Sequence, residues 1–275
     1  MLPTLPEKKV LDLGYVRLIN HMGTDESIAY DAAVSYDKDR ETKTDAQVRN
    51  LIRFLMRHRH TSPFEQAVIK LEIKCPIFVA RQFHRHRTQS INEISARYAQ
   101  LPSEYHTPDI WRVQDNYNKQ GSGDRRYPLV VNASTISDYQ ELCDASMQFY
   151  EEIASDNVAR EQARYIVPVS TYTRYVTTLN LHNLLHFLSL RMDKHAQAEA
   201  RAYAEAIYEL VSPLFPHVFE AWNDYVRGAV TFSAQEIGAL SLVWDKMRDP
   251  ELEQALTNAG LSKREIDEFW SKLRD

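Results

Sequence analysis

The densest collection of reactive side chains lies in RHRTQSINEISAR, Arg85 to Arg97. It holds Arg85, Arg87 and Arg97, the imidazole of His86, the carboxylate of Glu93, and the neutral polar groups of Ser90, Asn92 and Ser95. Arginine presents a planar, permanently charged fork of donors that matches phosphate and carboxylate. Glu93 cannot bind phosphate. It can accept from a sugar hydroxyl or a base N–H, or neutralise one of the arginines. This is the inventory of a nucleotide clamp, and equally of a solvated loop with internal ion pairs. Composition alone leaves both open.

Other candidates are scattered. His182 and His186 are four apart, the spacing that puts two side chains on one helix face. His84 and His86 are two apart, as are His58 and His60. Zinc needs three or four convergent ligands, and the sequence has no CxxC or HExxH, so no metal is expected. Arg164 in REQARYIVP and Arg191 in SLRMDKHAQAEA are lone cations on amphipathic segments. Ser95 has no base at catalytic spacing. Cys75 reads as a buried core thiol rather than a nucleophile, because free cysteine is commonly buried.

The totals narrow the field. The chain has 275 residues, which brackets one to two domains, and 44% of them are apolar, enough for a sizeable core. A net charge of −5 argues against a general nucleic-acid binder, so phosphate recognition has to be local and no stable nucleic-acid partner is expected. No apolar run reaches the roughly 18 residues of a membrane helix. MLPTLPEKKVLDLG lacks the apolar core of a signal peptide. With only Cys75 and Cys143, a disulfide framework is not expected, and a reducing cytoplasm fits. There are seven glycines, none between positions 24 and 120, and neither GxGxxG nor GxxxxGK[ST] occurs. A Rossmann crevice or P-loop, which needs glycine for close backbone approach, is excluded.

The elements that must position these groups are mainly helical. Tyr15–Ile19 reads as a short strand. Thr44 caps a helix with Val48, Leu51, Ile52, Leu55 and Met56 on its apolar face. AVIKLEIK alternates apolar and charged residues, the pattern of a half-buried antiparallel strand. Pro76 opens a helix through IFVARQF that runs toward the arginine-rich segment. Residues 112–133 read as a polar, flexible excursion. A helix follows over 137–155 with Tyr139, Leu142, Cys143 and Phe149 on its stripe, then a shorter one stopped by Pro168. YTRYVTT is strand-like. Helices are expected over 180–191, over 195–211 and up to about Val226. Ser233 with Glu236, and Ser262 with Glu265, form capping boxes in a helical extension. The organisation predicted is a main domain over 1–228 and an extension over 229–275, of the α+β class, mainly helical with a small antiparallel sheet.

Together these segments resemble the flavin-dependent thymidylate synthases. The signature RHRxxSxNExSxR stands unbroken as Arg85, His86, Arg87, Ser90, Asn92, Glu93, Ser95 and Arg97, with HRHTSPFE, PIFVARQF, REQARYIVP, YTRY and LSLRMDKHAQ around it in the family's order. The resemblance covers roughly 14–228, without the 112–133 excursion or the tail.

The resemblance implies that dUMP takes a methylene from methylenetetrahydrofolate and a hydride from FAD, which NADPH reduces, to give dTMP. It also implies a homotetramer with FAD at subunit junctions. By match, Gln82, Arg85, Glu93, Ser95, Ala96, Arg97, Arg164 and Arg191 would bind dUMP, with Arg191 as the catalytic cation near the pyrimidine. Ser62, Arg85, His86, Arg87, Glu93, Asn180, His182 and His186 would hold FAD, and His60 would lie near flavin and folate. Family members often carry Arg and Asn where this chain has His182 and His186. That makes the contacts titratable near neutrality.

Overall fold

The computed structural model describes residues 5–35, 42–115, 121–126, 129–244 and 250–271. Strands β1 (Glu7–Val10) and β2 (Gly14–Met22) are followed by helices α1 (Asp25–Val34), α2 (Asp45–Arg57) and α3 (Ser62–Glu65). Next come β3 (Val68–Pro76), α4 (Ile77–Phe83) and β4 (Ser90–Glu93), then β5 (Arg112–Gln114) and β6 (Ser122–Arg126). The long α5 (Leu129–Ser155) leads to α6 (Arg160–Ala163), β7 (Tyr172–Asn180), α7 (Leu181–Arg191), α8 (Ala198–Val211) and α9 (Pro216–Trp222). Helices α10 (Ala234–Trp244), α11 (Pro250–Asn258) and α12 (Lys263–Ser271) follow. The α+β class, helix-rich with a small antiparallel sheet, is as expected.

The sheet runs β1-β2-β3-β7-β4, antiparallel throughout. Strand β3 lies at its centre because its alternation buries Ile69, Leu71, Ile73 and Cys75 on one face. Its partners in β7 match: Ile69 faces Leu179, Ile73 faces Tyr175 and Cys75 faces Thr173. Onto this face pack α1, α2, α4, α7, α8 and α9, with Ile28, Ile52, Val79, Leu184, Tyr203 and Phe219 in one core. Burying each such side chain contributes about 1.5–3 kcal/mol. Gly14 is required by close approach: a Cβ there would fall 1.8 Å from the Tyr203 hydroxyl oxygen and 2.7 Å from the Val10 carbonyl. That hydroxyl donates to the Lys74 carbonyl at 2.8 Å, tying α8 to β3. A second, smaller core of Leu101, Met147, Tyr150 and Ala163 takes in Ile94 and Ala96 from the signature.

Several sequence expectations need correction. The polar, flexible excursion expected over 112–133 holds regular structure in its described residues: β5 and β6 pair antiparallel, and α5 starts at Leu129. Residues 116–120 and 127–128 lie outside the described set. The helix expected over 137–155 is thus longer, and its expected stripe holds at Tyr139, which is half-buried, and at Cys143 but not at Leu142 or Phe149. Cys143, Met147 and Tyr150 are buried, whereas Leu142 is 70% and Phe149 49% exposed. Apolar residues stand on more than one face of this helix, so periodicity could not choose between them. The segment before Pro168 splits into α6 and a 3-10 turn, Arg164–Ile166. Helix α8 starts at Ala198 rather than 195, and α9 gives way to a π-turn at Asn223–Arg227.

The chain divides into two compact units, Met1–Arg227 and Gly228–Asp275. In the second, both capping boxes form: Ser233 N–H donates to Glu236 Oε2 at 2.7 Å, and Ser262 N–H to Glu265 Oε2 at 2.8 Å. No described helix is long and apolar enough to cross a membrane.

Candidate functional site

The loop between α4 and β4 carries Arg85, His86 and Arg87, and polar side chains of the loop itself, β7 and α7 pin it. Helix α4 ends when the His84 N–H donates to the Ala80 carbonyl. Gln89 then reaches back. Its Nε2 donates to the carbonyls of Phe83 (2.9 Å) and His86 (3.0 Å), and its Oε1 accepts from Thr177 Oγ1 of β7 (2.7 Å). Asn183 Nδ2 donates to the Thr88 carbonyl at 3.3 Å. Asn183 is itself held by Asn180, the N-cap of α7, whose Oδ1 accepts the Asn183 N–H at 2.9 Å. Sequence reasoning missed Gln89, Thr177 and Asn183. None of the three is a fixed position of the signature, and only tertiary contact reveals their work.

Arg191, the last residue of α7, turns back onto this loop. Its Nε donates to His86 Nε2 at 2.9 Å and one terminal nitrogen donates to the Gln82 carbonyl at 3.1 Å. The Gln82 side chain donates to Gln197 Oε1 at 2.6 Å. Gln82, His86 and Arg191, far apart in sequence, therefore form one contiguous group. The His86 ring also meets Phe187 edge-on (centroids 4.8 Å) and lies 6.1 Å from His186. Burial, then the charges of Arg191 and His186, pull its pKa down to about 4. A ring in that setting is neutral at physiological pH and free to accept. Burial and the neighbouring Arg85 charge also lower the pKa of Arg191, although a guanidinium stays protonated in proteins.

Downstream, β4 is an edge strand in register with β7: Ile91 faces Thr177 and Glu93 faces Tyr175. Glu93 accepts from Thr173 Oγ1, and His84 Nδ1 lies 4.0 Å from its other oxygen. His84 Nε2 is buried without a partner among the described residues. Ser95 Oγ accepts the Arg97 N–H at 3.3 Å, a local turn. Ala96 packs against the small core, and Arg97 lies 3.6 Å from Glu161 on the surface. Arg164 is exposed on its 3-10 turn. Among the described residues no hydrogen bond or ion pair links Ser95, Ala96, Arg97 or Arg164 to Arg191.

The remaining candidates lie elsewhere. Helix α2 ends in a Schellman motif. The Arg59 N–H donates to the Met56 carbonyl (3.2 Å) and the His60 N–H to the Leu55 carbonyl (2.9 Å), with Arg59 at φ 57° in the left-handed region. This turn delivers His60, stacked on Phe54 (centroids 5.8 Å), and exposed Ser62 to a cleft of about 540 Å³. Lys43, Gln47 and Leu51 also line it. The cleft contains neither Arg191 nor Arg85. A cavity's size says nothing of its charge, and the cluster of cations lies at the arginine group. Helix α3, which begins with Ser62, packs on α7, which starts just past Asn180 and carries His182 (half-buried) and His186 (exposed).

Charge decides what the arginine group can hold. Arg85 and Arg87 are exposed, and among the described residues no carboxylate lies within ion-pair reach of either, nor of Arg191. If His86 Nε2 accepts from Arg191, its proton sits on Nδ1, adding one more donor. Donors without internal acceptors fit a phosphate or pyrophosphate ligand such as FAD or a nucleotide. A thiolate is not on offer: Cys75 is fully buried, and burial and Glu93 push its thiol well above the ordinary range. No described group of three or more His, Cys, Asp or Glu side chains is arranged to hold a metal.

Residues 17–217 match the family described as "Thymidylate synthase complementing protein". A relative in Treponema denticola, named flavin-dependent thymidylate synthase, is 40% identical over 272 residues, covering 98% of this chain and 97% of its own. A Thermus thermophilus protein of the same name is 40% identical over 265 residues, covering 96% and 94%. Such coverage includes the C-terminal unit, so that unit is shared rather than peculiar to this chain. The solved structure of a UMP/dUMP methylase, PolB from Streptomyces cacaoi, bound with 5-Br dUMP, superposes with a TM-score of 0.73 at 31% identity, covering 80% of this chain and 99% of PolB. The arginine-rich loop, the α7 cation seated on it, and a likeness that runs the length of the chain converge on one assignment: the chain belongs to the flavin-dependent thymidylate synthase family.

Proposed function

We propose that this protein converts dUMP to dTMP, with methylenetetrahydrofolate as methylene donor, FAD as the hydride carrier and NADPH as its reductant. The observation that carries the reading is Arg191, half-buried, locked to His86 and Gln82, and without a carboxylate partner among the described residues. FAD, when bound, supplies the hydride. Ser62, Arg85, His86, Arg87, Glu93, Asn180, His182 and His186 would hold it, with His60 beside flavin and folate. Asn180 would use its amide N–H groups, since its Oδ1 already caps α7.

Gln82, Arg85, Glu93, Ser95, Ala96, Arg97 and Arg164 would bind dUMP, the arginines taking the phosphate. The free edge of Arg191 would face the pyrimidine near N3 and stabilise negative charge developing on the ring. A fixed cation does this best where water is scarce. No cysteine is needed. A homotetramer with sites at subunit junctions is supported by three features. The arginine group lies outside the large cleft, the Ser95–Arg97 turn and Arg164 are separate from Arg191, and Tyr98 and Tyr165 are each 79% exposed. The free, buried cysteines support a cytoplasmic setting.

The test is an anaerobic assay of the purified protein with methylenetetrahydrofolate, FAD and NADPH, offering dUMP and, because PolB is named for both nucleotides, UMP in parallel. dTMP formed from dUMP, dependent on added FAD, is the expected outcome. Protein that stays colourless with FAD and forms no dTMP would remove the reading.

A further inference from the structure

We infer that His86 is a positioning residue, whose work is to accept a hydrogen bond from Arg191 and so aim the remaining edge of that guanidinium at the pyrimidine. The inference rests on the dUMP reading above and deepens it. A guanidinium on a three-carbon stem has many rotamers, and its five donors lie in a rigid fork. Two of them are taken here on one side: Nε by His86 Nε2 at 2.9 Å, and a terminal nitrogen by the Gln82 carbonyl at 3.1 Å. One acceptor, the Gln82 carbonyl, lies in the last turn of α4, and the other, His86, lies in the loop that follows and is itself held. Gln89 holds the His86 carbonyl, and Phe187 sets the plane of the His86 ring. With its two partners in place, the rest of the Arg191 fork has one direction left to point.

The hydrogen bond also dictates the state of the ring. Arg191 Nε always carries a proton, so His86 Nε2 must be bare and the neutral ring must hold its proton on Nδ1. A protonated His86 would set N–H against N–H and break the pair. Burial opposes that proton first, and then the charges of Arg191 and His186 on α7. The histidine between the two arginines of the signature thus has a chemical reason to be histidine. It is an acceptor placed among cations, a task neither Arg nor Lys can perform.

Three holoenzymes separate this role from a purely cofactor-holding one: wild type, His86→Gln, whose Oε1 reaches the position of Nε2, and His86→Leu, which has no acceptor. dUMP affinity is read by the perturbation of bound-flavin absorbance and, so that a variant that sheds flavin is still scored, by calorimetry with and without added FAD. The expected result is a dUMP Kd raised at least tenfold in His86→Leu and restored to within threefold in His86→Gln. Equal loss in both variants, or unchanged dUMP binding in His86→Leu with only flavin affinity reduced, overturns the inference. Wild-type protein that binds neither FAD nor dUMP overturns the functional reading and this inference with it.

Discussion

Along α2, Arg49 Nε donates to Glu220 Oε2 at 2.8 Å, and Arg53 donates to Asp224 at 2.5 Å and to the Tyr225 hydroxyl at 2.8 Å, its guanidinium 4.9 Å from that tyrosine ring. Arg85, Arg87 and Arg191 have no such partners among the described residues. Instead, Arg191 leans on a neutral imidazole and a carbonyl. In the first group the protein supplies both signs of charge, and the arginines join α2 to α9 and the turn after it. In the second it supplies one sign only. Like charges held together repel, and an anion from outside would relieve that repulsion. Arg85, Arg87 and Arg191 differ from the α2 arginines in having no carboxylate partner among the described residues, and on the function proposed above that leaves them available to an anionic ligand.

The largest effect that tests this contrast is on catalysis. Arg191→Ala is expected to cut dTMP formation by about 1,000-fold or more, in line with losing a preorganised transition-state donor, while thermal stability and bound flavin stay near wild type. Loss of flavin together with activity would place Arg191 on the cofactor instead. Arg53→Ala should behave oppositely. Its side chain is 8% exposed, but Glu220 and Asp224 are 36% and 49% exposed and can be rehydrated. The cost is therefore expected at the low end for a buried pair, about 1–3 kcal/mol by denaturant titration, with dTMP formation per folded molecule unchanged. A drop in turnover with stability intact would erase the distinction between the two groups.

The sequence was most legible where chemistry and periodicity are local. The signature lies in thirteen consecutive residues, Arg85 to Arg97, and the alternation of AVIKLEIK marked the central strand. It was least legible where partners are distant or polar. Nothing in SINE announces a strand, because β4 is an exposed edge held by main-chain pairing to β7 rather than by a buried face. Strands β5 and β6, which pair with each other, are likewise polar in sequence. The bond between Arg191 and His86 spans 105 residues, and Gln89 binds three partners that no spacing rule connects to it. Family likeness marked His86 as a flavin ligand. Only the fold shows that it also accepts from Arg191.

The smallest predicted effect lies on the border between the two groups, at Arg59. Helix α11 ends in the same Schellman motif as α2: the Gly260 N–H donates to Thr257 (3.0 Å), and the Leu261 N–H to Leu256 (3.2 Å), with Gly260 at φ 89°. There a glycine takes the left-handed position, whereas α2 sets an arginine in it at φ 57°. The Cβ of Arg59 crowds the following carbonyl at a cost of about 1–2 kcal/mol, and glycine in its place would add about 0.5–1 kcal/mol of chain entropy to lose on folding. Arg59→Gly is therefore expected to stabilise the protein by up to about 1 kcal/mol, read as a shift of the denaturation midpoint with an unchanged slope. If turnover and FAD affinity also stay the same, Arg59 belongs with the structural arginines of α2. If stability rises while FAD or folate affinity falls, the strain is kept because the Arg59 side chain, or the aim it gives His60, serves the cleft, and the border between the groups moves two residues toward the helix.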